Sequence, residues 1–182
     1  LIPIVGMRGV FWLSFIPGAI ALLVLISLVK EKRIGFKIRI STLSFRKILN
    51  TRFIFLLVAI AVFSIGAYNF SFILLKAKDL GVAESFIPMV YMLINITHTL
   101  IGFPSGILSD KIGKEQVLIM GYLTFLLTSI FSIIAREGLI SSLIIAGTYG
   151  IYIGIGETVQ RALIPSYTHE EYRGTAYGVY YI

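Results

Sequence analysis

Gly106-Ile107-Leu108-Ser109-Asp110-Lys111-Ile112-Gly113-Lys114 is a short charged turn set between two long apolar runs. Gly106 permits two helices to approach closely, Asp110 and Lys111 mark a water boundary, and Gly113 lets the backbone reverse. Lys114 then meets lipid headgroups. A turn of this kind makes sense only if both flanking runs cross a bilayer, and the composition agrees. Of 182 residues 57% are hydrophobic and 14% charged, a balance that a water-soluble domain of this length cannot carry on its surface.

Five segments reach the roughly 20 apolar residues that a helix needs to span the hydrocarbon core: Val10–Val29, Phe53–Leu75, Phe86–Leu108, Val117–Ala135 and Leu139–Val159. A sixth begins at Gly174. The expected fold is therefore an all-α integral membrane protein, a helical bundle of five full spans and the start of another. The chain opens at Leu1 in apolar sequence, without the basic region and cleavage site of a signal peptide, and closes in an apolar run without a flanking charge. It reads as a piece of a longer protein.

The formal charge of +7 does not imply a nucleic acid partner, because the basic residues cluster at the ends of apolar runs and not along a soluble face. Twelve of the sixteen Lys and Arg fall on one side of the predicted topology, eight of them between Lys30 and Arg52. Basic loops resist translocation, so that side is cytoplasmic. Phe36, Ile38 and Ile40 alternate with Lys37 and Arg39 there, as in an interfacial segment beside anionic headgroups.

The spacing Gly-x-x-x-Asp-basic-x-Gly-basic between two membrane helices resembles the signature loop of the major facilitator superfamily of secondary transporters. In that family the next position is often basic, whereas here it is Glu115. Phe72–Gly81 resembles the end of helix seven in a group of prokaryotic members. Gly156–Ala162 followed by Arg173–Gly178 resembles the junction of helices ten and eleven. The family carries the signature loop once in each half of a twelve-helix chain, with two helices before the first copy; here three spans precede it. The resemblance thus implies that residues 1–29 are the last helix of an N-terminal half, 30–52 a cytoplasmic linker, and 53–182 a truncated C-terminal bundle. It further implies a permease of a prokaryotic plasma membrane that moves a small solute by alternating access, driven by an ion or solute gradient, a proton being one candidate, and without a cofactor.

Polar side chains are expensive inside lipid and tend to face a bundle interior or a wet path. Tyr91, Asn95, His98, Gly102 and Ser105 recur at helical spacing on one stripe, as do Ser64, Tyr68 and Ser71, with Asn69 beside them. Of these, Ser64, Tyr68, Asn69, Tyr91, Asn95 and His98 are the candidate substrate or proton path. His98 is the only imidazole within a predicted span, and imidazole is the side chain suited to proton exchange near neutrality. Glu157 and Arg161 stand four residues apart on one helical face and can pair. With Asp110 and Arg173 they form a candidate charge latch beside the gating loop of Gly106, Asp110, Lys111, Gly113 and Lys114. Gly102 with Gly106, and Gly150 with Gly154, are small-xxx-small pairs for helix contact.

Other chemistry finds little support. With no cysteine there is no disulfide or thiolate metal site, and His98 and His169 are too poorly accompanied to hold a metal. Gly154-Ile155-Gly156 lacks the strand and third glycine of a dinucleotide turn. The glycosylation patterns at Asn69 and Asn95 fall within spans. No nucleophile, base and orienter stand together, so an enzyme is not expected. A membrane enzyme would need carboxylates or histidines at one depth, and His98 and Glu157 are expected on different helices at different depths. A channel or structural subunit, the other rival, would need no signature loop.

Overall fold

In lipid every backbone polar group must be satisfied within the protein, and a continuous helix does this along its whole length. The computed structural model describes residues 2–28 and 50–181, and those residues are helical almost throughout, with no strand among them. The chain forms two units, Leu1–Ile40 and Ser41–Ile182. The first contains helix α1, Ile2–Leu28, with Pro17 inside it and a short apolar stretch, Phe15–Val24. The basic linker and its interfacial pattern, up to residue 49, lie outside the described residues.

The second unit contains α2 (Thr51–Gly66), α3 (Phe70–Asp79), α4 (Ile87–Ile112), α5 (Lys114–Ile134), α6 (Leu139–Tyr167) and α7 (Arg173–Tyr180). Among the described residues, four spans are long and apolar enough to cross a membrane: Thr51–Asp79, Glu84–Ile112, Lys114–Ile134 and Leu139–Tyr167. Helix boundaries follow local chemistry. Asn50 caps α2 by accepting from Phe53 N, Pro88 stands in the first turn of α4, and the α4–α5 reversal is made at Gly113 with φ 106°. Only glycine reaches that φ without strain.

Helices α4 and α5 pack chiefly on α6. A Cβ added at Gly150 would run into Thr97 Oγ1 and lie 2.6 Å from the Ile94 carbonyl; one at Gly154 would lie 2.8 Å from the His98 carbonyl. The two backbones therefore touch, and the matching order of contacts shows that α4 and α6 run parallel. A Cβ added at Gly102 or Gly106 would lie 3.4 or 3.7 Å from the Thr158 side chain, ordinary contact distances. On the other side Gly121 admits Ile155 of α6. Buried Ser105, Ser109, Thr128 and Ser142 each return a hydrogen bond to their own helix, so among the described residues no buried side-chain polar atom lacks a partner.

The loop ends of the bundle are pinned. On the side assigned outward, Gly138 N donates to the Leu80 carbonyl at 2.8 Å. On the signature-loop side, Lys114 Nζ donates to the Ala162 carbonyl at 3.1 Å and to Ser166 Oγ at 2.8 Å. Tyr167 donates to Glu115 at 2.6 Å and Asn50 to the Tyr167 carbonyl at 2.8 Å. Pro165 inside α6 removes the amide that would bond the Arg161 carbonyl, and Tyr177 Oη of α7 donates to it at 2.9 Å in place of that amide. Glu115, the departure from the family pattern, thus has a defined partner in Tyr167.

Candidate functional site

The second predicted span is broken. The helix α2 ends at Gly66, Ala67 N makes the last bond to the Phe63 carbonyl, and Ala67 and Asn69 are extended with ψ of 123° and 158°. Asn69 then caps α3, its Oδ1 accepting from Ser71 N at 3.0 Å and from Ser71 Oγ at 3.1 Å. The expectation that Ser64, Tyr68 and Ser71 share one continuous helical stripe is therefore corrected: Gly66 is a poor helix former and Asn69 a strong cap, and together they interrupt the turn.

A break inside a membrane span exposes carbonyls that must find donors. Tyr149 Oη of α6 donates to the Tyr68 carbonyl at 2.8 Å, and the Tyr68 hydroxyl lies 3.3 Å from Ser129 Oγ of α5. Aromatic rings fill the gap between the helices. Phe63 stacks on Tyr122 with centroids 3.7 Å apart, Tyr68 lies parallel to Tyr149 at 5.9 Å, and Tyr152 tilts against Phe125 at 4.9 Å.

Beside the break is a cavity of about 350 Å³ lined by Ser64, Ala67, Tyr68, Asn69, Tyr149, Tyr152, Ile153, Gly156, Glu157 and Gln160. A neighbouring cavity of about 590 Å³ shares Ser64 and Gln160 with it and is otherwise mostly apolar. Gln160 joins three helices, donating to Tyr122 Oη at 3.2 Å and accepting from Tyr180 Oη at 2.7 Å.

Ser64, Tyr68 and Asn69, expected from the sequence, meet at this cavity. Tyr91, Asn95 and His98 do not line it. Asn95 donates to the Tyr91 carbonyl at 2.8 Å on its own helix, and the Tyr91 ring rests against Phe70 at 5.3 Å. His98 is oriented to α6, its Nε2 lying 3.9 Å from Glu157 Oε2. The expectation that His98 and Glu157 sit at different depths is thus wrong. The parallel register places Gly154 beside Ile101, and a helical side chain leans toward its own N-terminus, so Glu157 reaches back to His98.

The four latch charges are only partly together. Glu157 pairs with Arg161 at 3.1 Å, while Arg173 pairs with Glu170 at 3.3 Å. Asp110 and Lys111 make no ion pair among the described residues, and Lys114 is held by α6 as described above. Nor does any group of three His, Asp or Glu among the described residues stand close enough to hold a metal.

Sequence reasoning missed Tyr149, Tyr152 and Gln160. Their signal was present: with Gly156 they recur at intervals of three, four and four, one face of α6.

Long apolar helices, a glycine-mediated helix contact and a polar cavity beside a broken span define an integral membrane protein of the helical-bundle class. The model of the Major Facilitator Superfamily matches residues 1–182, and the chain belongs to that family. It is 32% identical over 136 residues to an uncharacterized MFS-type transporter of Methanocaldococcus jannaschii, an overlap covering 70% of this chain and 33% of that protein. The chain therefore spans about a third of the length of that relative. No solved structure matches it significantly. The expectation that the chain belongs to that family holds.

Proposed function

We propose that this chain is the C-terminal part of a secondary transporter that moves a small solute across a prokaryotic plasma membrane by alternating access. Residues 1–29 would be the last helix of the N-terminal half and 53–182 the C-terminal bundle, joined by the cytoplasmic basic linker 30–52. The observation that carries the reading is the cavity at the α2–α3 break, where Tyr68, Asn69, Tyr149, Glu157 and Gln160 converge within the membrane. Discontinuous helices at mid-membrane are where carriers of this general kind place their solutes, since the unwound backbone can serve a ligand.

The drive is a proton gradient, with His98 facing Glu157 as the exchanging pair. Asp110, Glu157, Arg161 and Arg173 change partners between access states. The Glu157–Arg161 and Arg173–Glu170 pairs are the set made in this state.

The test is reconstitution of the full-length protein in liposomes, following lumenal pH under an imposed proton gradient while pooled solutes are added. Solute-dependent proton movement that disappears in His98→Gln is the expected result. Solute movement without proton movement removes the coupling role and returns His98 to packing. Unchanged flux and unchanged inward/outward populations in both Asp110→Asn and Glu157→Gln would end the latch.

A further inference from the structure

Resting on the transporter reading, we propose that the cavity at the helix break takes a small organic cation, an alkylated ammonium group carrying an apolar body. The charge of its wall points that way. Among the residues that line it Glu157 alone is charged, and no Lys, Arg or His contributes to the lining. The guanidinium of Arg161 lies one turn further along α6 and His98 stands across on α4, both touching Glu157 from outside the cavity.

The walls fit the same chemistry. Tyr68 and Tyr149 are within 11° of parallel with centroids 5.9 Å apart, and Tyr152 stands at 61° to Tyr149 at 5.7 Å, which forms an aromatic corner. Ring faces carry partial negative charge and attract a desolvated cation, quaternary ammonium groups above all. An anion would find the opposite of what it needs. The Tyr149 hydroxyl is committed to the Tyr68 carbonyl, and Gln160 donates to Tyr122. Tyr149 and Gln160 thus spend donors within the protein, and the one charged group in the lining is a carboxylate, whose charge Arg161 shares from outside the cavity. A volume of about 350 Å³ stands at the lower end of small-molecule sites, about 300–1,000 Å³.

The test is calorimetric binding of benzyltrimethylammonium, benzyl alcohol and benzoate to the purified full-length protein. The expected result is cation binding about tenfold tighter than either of the others, the size of a desolvated cation–ring contact. Glu157→Gln should weaken the cation about tenfold, with Glu157→Asp recovering much of the loss. Tyr152→Leu should weaken it severalfold while Tyr152→Phe leaves it unchanged, because the ring face and not the hydroxyl is used. Tyr152→Phe also guards against a fold defect. Benzoate binding as tightly as the cation, or a cation affinity indifferent to Glu157→Gln, overturns the proposal. Counterflow in proteoliposomes separates this from the transporter reading. Uptake of neutral or anionic solutes by a protein that does not bind the cation ends the cation site and keeps the carrier. Cation binding with the expected variant effects but no counterflow of any solute supports the site and ends the carrier.

Discussion

The α4–α6 contact and the α2–α3 break solve the same problem in opposite ways. At the contact, glycines bring two helical backbones together, and the space a side chain would take at Gly150 and Gly154 is filled by carbonyls and side chains of the other helix. At the break, one backbone comes apart, and tyrosines from other helices supply the hydrogen bond and the bulk. The first arrangement has no room for a ligand. The second leaves a cavity with a carboxylate in its wall. Within lipid, where apolar burial gives little preference for one helix partner over another, close van der Waals contact holds the bundle and polar substitution for lost backbone bonds shapes the site.

The comparison is broken most sharply at Gly150. A Val there must displace Thr97 and the Ile94 carbonyl, and the carbonyl belongs to a helix backbone that cannot swing aside. Overpacking of this kind should cost about 3 kcal/mol. The expected outcome is loss of the folded protein on heating in detergent at a temperature where the parent survives; a parent-like melting temperature would mean that α4 and α6 are not in backbone contact.

Next in size is Lys114→Met. It removes the ammonium that bonds the Ala162 carbonyl and Ser166 Oγ while keeping the length of the side chain. Charge-assisted bonds of this type contribute about 1.5 kcal/mol each, and partial exposure lowers the sum toward a single bond's value. Denaturant titration should show a loss of that size, falling on the rigid side of the molecule and leaving cation affinity at the break unchanged.

Tyr149→Phe tests the other region. The hydroxyl of buried Tyr149 is the donor to the carbonyl of half-buried Tyr68 at the break, and removing it leaves that acceptor unsatisfied at a cost of about 1 kcal/mol. Stability should fall by that modest amount, and transport by more than stability, because the freed Tyr68 moves a wall of the cavity. Equal small losses in both assays would reduce Tyr149 to a packing residue.

The two regions also differ in how much of them could be read from the sequence. Apolar runs and the Gly113 reversal report the bundle because length, hydropathy and turn chemistry are local quantities. The Gly150 and Gly154 pair was legible for the same reason. The break was not, since the run from Phe53 to Leu75 is uncharged and mostly apolar and hydropathy is blind to whether the backbone inside it stays helical; Gly66 and Asn69 were the signals, and neither alone compels an interruption. Half of the site therefore came from residues whose importance depends on a partner helix. Tyr149 matters because the Tyr68 carbonyl is free, and Glu157 meets His98 because two helices run parallel at one register, which no single segment encodes.

The smallest effect sharpens the comparison at Gly102. Like Gly150 it belongs to a small-xxx-small pair on the α4–α6 interface, yet its added Cβ would lie 3.4 Å from Thr158 Oγ1, the end of a side chain that can rotate. Gly102→Ala also gains helix propensity, worth up to about 1 kcal/mol in water and offset here by the slight crowding of Thr158. Stability should stay within about 0.5 kcal/mol of the parent, the usual range for a substitution that meets no special feature. The sequence pattern treats Gly102 and Gly150 as equals; the geometry makes one a space-filling convenience and the other a condition for contact. A loss at Gly102 as large as that at Gly150 would show that the whole glycine face is under compression, and that rotation of Thr158 is blocked by the bundle around it.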